Sequence, residues 1–344
     1  MAVFEITLGP ADRRQIDDVL EPLTKQYQSV EDAEFQRRAA VAAHELPSGL
    51  RDALIEFKLT EPAGACLVRG FDVDDAAIGP TPKHWNDRST VSSALREEIF
   101  FCLCAQLLGD PVAWATEQNG YVMHDILPII GHEREHIDSG SEILLTWHTE
   151  VAFHPYRADY IGLMCLRNLD AVETTYADVG DLSLDENDRE VLRRDLFVTR
   201  PDEIHLNPER SSVDRQSDEL STLIQDSYQW VRGMNDNPVP RPVLFGSKQK
   251  PYICLDPYSM DEPGTPEARA AFEKICAEVE RKITGIALRP GDILFIDNFM
   301  SVHGRKPFQA RFDGTDRWLK RLNLVRDLRK SRSVRVGSDS RVIY

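Results

Sequence analysis

The chain has 344 residues, 42% hydrophobic and 28% charged, enough for one large or two ordinary soluble domains with ample core. Its formal net charge of −16 would repel a phosphate backbone, which excludes nucleic acid as a partner and leaves any anionic ligand to a local cationic pocket. No apolar run approaches the ~18 residues of a membrane span.

The first stretch, MAVFEITLGPADRRQIDDVL, carries charge from Glu5 onward and lacks an apolar core, so no signal peptide is expected. Ile16, Val19, Leu20 and Leu23 recur at helical spacing and predict a helix over 11–28; 31–46 and 49–57 also read as helices, punctuated by Pro47 and Gly49. GACLVRGF (64–71) reads as a short strand, and Ser89 to Leu108 as a long helix stopped by Gly109. After residue 110 short apolar runs alternate with turn residues, the pattern of a β-sandwich or barrel. Polar helices at 184–197 and 217–232 interrupt it, and a third helix, Glu267 to Lys282, precedes Gly285. The expectation is a mainly β chain with flanking helices. It forms one catalytic domain over 1–344: a helical part (1–60), a jelly-roll core (about 110–327) and a lid-like insertion (about 200–245) that orders over substrate at 205–232. Six cysteines (Cys66, Cys102, Cys104, Cys165, Cys254, Cys276) lie in apolar stretches without C-x-x-C spacing, as reduced thiols of a cytoplasmic protein would.

Two metal-binding patterns stand close together. His132-Glu133-Arg134-Glu135-His136 fits H-E-x-x-H, which needs a helix to bring both imidazoles to one Zn²⁺. Pro128 and Gly131 before it and Asp138-Ser139-Gly140-Ser141 after it oppose a helix, so a charged loop is expected, with one residue free to touch substrate. His148-Thr149-Glu150 fits H-x-E, which suits a strand, where i and i+2 share a side; the flanks Leu144 to Trp147 and Val151 to Phe153 are strand-like. An imidazole and a carboxylate so placed are two corners of the 2-His-1-carboxylate triad of non-haem iron oxygenases. Alone the pattern is weak, since a histidine and an acid on an exposed strand are commoner. His303 supplies the missing imidazole at the end of an apolar strand, with Gly304 allowing a turn. Arg317 opens RWLKRLNLV, where a strand puts Arg317, Leu319, Arg321 and Asn323 on one face; an arginine there suits the far carboxylate of 2-oxoglutarate.

These residues resemble the clavaminate synthase-like Fe(II)/2-oxoglutarate oxygenases, and within them the hydroxylases of free basic amino acids in antibiotic pathways, such as the viomycin-pathway L-arginine 3-hydroxylase. The resemblance runs from about Leu46 to Tyr344 and rests on HELP (44–47), TPKHW (81–85), AWATEQNG (113–120), WHTEVAFHPYRADYIGLMCLRN (147–168), VETT (172–175), GDILFIDN (291–298), VHGRKPFQARFDGTDRWLKRLN (302–323) and RDLRKSR (326–332). It implies a distorted jelly roll with Fe(II) on His148, Glu150 and His303, 2-oxoglutarate on Arg317 and Thr174, and O₂ as oxidant. It also implies the substrate's α-carboxylate on Arg321 and its α-ammonium near Glu150.

Where the viomycin enzyme has D-x-D at the guanidinium, this chain has Asp256 and Tyr258; where that enzyme has glutamine, it has Glu117. Asp256 and Glu117 are therefore expected to flank a cationic side chain, unless Asp256 only caps the turn at Pro257. Asp138 stands near the substrate in an unassigned role. The implied reaction is C3 hydroxylation of free L-arginine. Lysine, enduracididine or citrulline, C4 attack, and desaturation or cyclisation are alternatives on the same scaffold. A non-catalytic amino-acid-binding sandwich is the alternative from another class. The partner is a small amino acid, without nucleic acid or membrane, and a homodimer is compatible.

Overall fold

The computed structural model describes residues 3–207 and 218–344. Two sheets face each other. The larger runs β1 (Phe4–Thr7), β2 (Ala65–Arg69), β11 (Ile293–Asp297), β6 (Tyr160–Arg167), β13 (Trp318–Val325), β3 (Asp110–Trp114) and β14 (Val342–Ile343), with β4 (His124–Ile126) also paired to β13. The smaller runs β10 (Thr284–Ala287), β7 (Glu173–Asp178), β12 (Ser301–Arg305) and β5 (Leu145–His148), and β8 (Leu244–Gly246) pairs with β9 (Pro251–Ile253) beside it. This is the expected distorted jelly roll with flanking helices.

The helices are α1 (Pro10–Gln26), α2 (Ala33–Ala42), α3 (Ser48–Thr60), α4 (Asp75–Ile78), α5 (Leu95–Leu108), α6 (Glu186–Leu192), α7 (Glu203–Leu206), α8 (Asp218–Asp236) and α9 (Pro266–Lys282). The helix expected from Ser89 begins at Leu95, because Ser92 first makes a turn through its hydroxyl to Ala94 N and its carbonyl to Leu95 N. Gly109 ends it in extended backbone, not a left-handed cap: an added Cβ would lie 2.7 Å from the carbonyl oxygen of Val325. The helix expected over 184–197 is only α6, capped by Asp185 on Asp188 N, after which Phe197 bridges to Arg241. No local signal marked β1, whose four residues pair with β2 some sixty residues away. The lid expected at 205–232 includes 208–217, which lie outside the described residues. Among the described residues no helix is long and apolar enough to cross a membrane.

β13 explains the layering. All eight residues are buried, and alternation splits them. Leu322 and Leu324 join the core built around α5, where each fully buried large apolar side chain contributes ~1.5–3 kcal/mol. Lys320, on the same side, pairs with Glu98 of α5. Leu319 and Arg321 face the smaller sheet, and the cavity between the two sheets is lined from β4, β6 and β13 on one side and β5, β7 and β12 on the other.

Candidate metal centre and substrate cavity

His148 and His303 are cross-strand partners on β5 and β12. Gly304 makes that pairing possible: an added Cβ would lie 2.4 Å from Leu145 O, so it serves close strand approach and not the expected turn. Glu150 lies beyond the end of β5 rather than on the strand. The next residue, Val151, has φ +49, a costly conformation for a β-branched side chain. Asn298 clamps this bend: its Oδ1 accepts from Glu150 N at 2.8 Å, and its Nδ2 donates to Glu150 O at 3.1 Å and Ala158 O at 2.9 Å.

Ligand atoms of His148, Glu150 and His303 lie within 4.8 Å of one another. Nε2 of both imidazoles is 3.3 Å from the same oxygen, Oε2 of Glu150. His148 Nδ1 donates to Thr146 O at 2.8 Å, which leaves Nε2 as the free lone pair of the neutral ring. Three acceptor atoms facing one point call for a cation between them, and two nitrogens with one carboxylate fit Fe(II). Burial opposes charge on His148, but the hydrogen bond and field of Glu150, with Asp256 behind, raise it to about 9. Burial also opposes charge on Glu150, yet Arg321 and the two histidines hold its carboxyl well below the usual range. His303 moves the other way, with burial the largest cause lowering its pKa.

The competing H-E-x-x-H segment forms turns, as expected. His132 Nδ1 contacts Ser139 Oγ at 2.9 Å, and His136 Nε2 accepts from Thr146 N at 2.9 Å. One ring nitrogen of each is thus engaged by the protein. His136 and Asp138 nevertheless line the cavity.

Arg317 is buried and donates from Nη2 to Thr174 Oγ1 at 3.3 Å, while its Nε finds no partner among the described residues. Burial and the nearby Arg305 lower its pKa to about 10. Such a guanidinium is built to receive an anion.

Both Nη atoms of Arg321 are engaged, while its Nε finds no partner among the described residues. Nη1 donates to Glu150 Oε1 at 3.0 Å, and Nη2 pairs with Glu117 Oε1 and donates to His124 Nδ1 at 2.8 Å. Asp138 Oδ2 is 3.6 Å from Nη1. Glu117 therefore pairs with the arginine expected for the substrate's head, and it lines the same cavity as Asp256. Asp256 has a different acidic neighbour. Burial and then the charge of Asp202 raise its pKa to about 6. Ser259 ties the two together, donating from Oγ to Asp202 Oδ1 at 2.6 Å and from its backbone N to Asp256 O at 3.1 Å.

Asp202, Ser259, His124, His205, Asn298 and Arg305 escaped the sequence reading. Only Arg305 left a signal, two residues after His303 on the same strand face. Asp202 precedes the short α7 and His205 lies within it; His205 Nδ1 contacts Thr116 Oγ1 at 2.7 Å, next to Glu117.

Residues 115–323 match the family model described as "Taurine catabolism dioxygenase TauD, TfdA family". The enduracididine beta-hydroxylase of Streptomyces hygroscopicus is 48% identical over 342 residues, covering 99% of this chain and 100% of the relative. The L-ornithine/L-arginine 3-hydroxylase of Catenulispora acidiphila is 45% identical over 346 residues, with 99% and 100% coverage. The crystal structure of the non-heme iron oxygenase OrfP in complex with Fe, succinate and (3S)-hydroxy-L-Arg superposes with a TM-score of 0.92 at 39% identity, covering 99% of each chain. With the histidine-carboxylate cluster between its sheets, the chain belongs to the TauD/TfdA dioxygenase family.

Proposed function

We propose that the protein is a non-haem Fe(II)/2-oxoglutarate-dependent dioxygenase that hydroxylates C3 of free L-arginine. The observation that carries this reading is the meeting, in one cavity, of His148, Glu150 and His303 with Arg317, whose Nε has no partner among the described residues, and the Asp202–Asp256 pair. His148, Glu150 and His303 would hold Fe(II), which would activate O₂; O₂ is the oxidant, 2-oxoglutarate is converted to succinate and CO₂, and C–H is replaced by C–OH. Arg317 and Thr174 receive the remote carboxylate of 2-oxoglutarate. Arg321 takes the α-carboxylate of the amino acid, and Glu150 with Glu117 faces its α-ammonium. Asp138 borders this head group from the loop before β5.

The two ends of the substrate are held by opposite charges, so only one orientation is favourable. A zwitterionic head fits Arg321 and its acids, and a cationic tail fits Asp202 and Asp256. Two carboxylates also match the planar, multidentate edge of a guanidinium better than the compact ammonium of lysine. Fixing both ends sets which carbon faces the metal. The hydroxyarginine-bound OrfP structure and the arginine and enduracididine hydroxylases support attack at C3.

A second reading, enduracididine as substrate, is favoured by the 48% identity to the enduracididine enzyme. The six thiols form no disulfide, in keeping with a cytoplasmic enzyme. Incubation of the standard amino acids and enduracididine with protein, Fe(II), 2-oxoglutarate and air, followed by mass spectrometry, tests the reading. Arginine, or in the second reading enduracididine, should gain one oxygen atom. Oxidation of neutral amino acids alone would contradict both.

A further inference from the structure

Arg317 shares the cavity with a second buried guanidinium. Arg305 closes β12 two residues beyond His303, and strand alternation turns both side chains to the cavity. In register Arg305 lies opposite Thr174, the residue whose hydroxyl accepts from Arg317. It is 3% exposed and close enough to Arg317 for the two charges to repel. Its bonds to protein are long: Nη1 to Ser141 O at 3.4 Å and Nη2 to Ile143 O at 3.3 Å, both uncharged acceptors. The Nε atoms of both arginines find no partner among the described residues. The charge of Asp138 reaches Arg305, but that carboxylate also serves Arg321. Two like charges buried together are unfavourable until an anion joins them.

We infer that Arg305 is the second arm of the cosubstrate's dicarboxylate seat, a specificity-determining residue that acts with Arg317 on the carboxylate remote from the metal. The inference rests on the reading of the protein as a 2-oxoglutarate enzyme. With both arms in place, the site favours a 2-oxo acid bearing a second carboxylate over the monocarboxylic 2-oxo acids that chelate a metal equally well.

The test titrates the full-length protein, loaded with Fe(II) and kept free of oxygen, with 2-oxoglutarate and separately with 2-oxobutanoate, which lacks the remote carboxylate. Binding is read by calorimetry and by the visible absorption of the iron chelate. In Arg305→Met, affinity for 2-oxoglutarate should fall on the order of tenfold to a hundredfold, the worth of one charge-assisted hydrogen bond. Affinity for 2-oxobutanoate should hardly change, and Arg305→Lys should recover part of the loss because it restores the charge. Equal losses for both acids, with no recovery by lysine, would mean that Arg305 only props the 141–143 backbone and would overturn the inference. Unchanged 2-oxoglutarate affinity in Arg305→Met would overturn it too. A wild-type protein that chelates neither acid would instead refute the functional reading on which the inference rests.

Discussion

Arg321 Nη1 donates to Glu150 Oε1 at 3.0 Å, while the other oxygen of that carboxylate lies 3.3 Å from Nε2 of both His148 and His303. One carboxylate joins the metal donors to the arginine proposed for the substrate's head. Arg321→Met removes none of the three donors, so iron should stay bound. It leaves Glu117 buried and unpaired and strips the α-carboxylate of its partner, a change of about 3–5 kcal/mol. Arginine binding should weaken by about two orders of magnitude or more. Iron content and arginine calorimetry check this, and loss of the iron would mean that Arg321 instead holds the metal donors in place.

Asp256→Asn should weaken arginine by about two orders of magnitude or more, because a buried cationic tail loses one of its two acids. Citrulline, with an uncharged tail, should lose far less. Kinetics of both substrates decide it; equal losses would show that Asp256 shapes the turn at Ser259 and does not read charge.

The same acid gives a pH dependence. Burial and Asp202 raise Asp256 to about 6 in the free protein. Below that pH it binds a proton and no longer attracts a cation, so kcat/KM for arginine should fall as pH drops through about 6. The citrulline profile lacks this limb. Asp202→Asn removes a like charge, lowers the Asp256 pKa and should move the limb to lower pH. A limb that stays in place, or one shared with citrulline, would assign it to another group.

Gly304→Ala tests how the site is built. The new Cβ would meet Leu145 O at 2.4 Å and Trp147 N at 3.0 Å, both backbone atoms of β5. Overpacking of this kind costs typically ~1–3 kcal/mol. Here it should also part His148 from His303 and reduce bound iron. Denaturant melts and metal analysis would reveal both effects, and a variant as stable and as iron-rich as the parent would show that the strands can spread.

The jelly roll was legible because its strands are short apolar runs between turn residues, and the cluster because the H-x-E spacing of His148 and Glu150 and the later His303 each fall in or beside such a run. The bend that carries Glu150 off β5 was not legible, since it depends on Asn298 from a distant segment. The pairing of Glu117 with Arg321 was not legible for a similar reason. Arg321 is 204 residues away from Glu117, and the pairing of β3 and β4 with β13 brings them together. Asp202 has no motif around it; Ser259 and Asp256 define its role only in the folded chain.

The most direct test of the account counts succinate formed per arginine consumed, with Fe(II), 2-oxoglutarate and O₂, in the wild type and in His303→Ala, Glu150→Ala and His132→Ala. The account expects one succinate per hydroxyarginine in the wild type and in His132→Ala, and neither turnover nor bound iron in the other two. Turnover and iron that survive loss of His303 but vanish with His132 would contradict it.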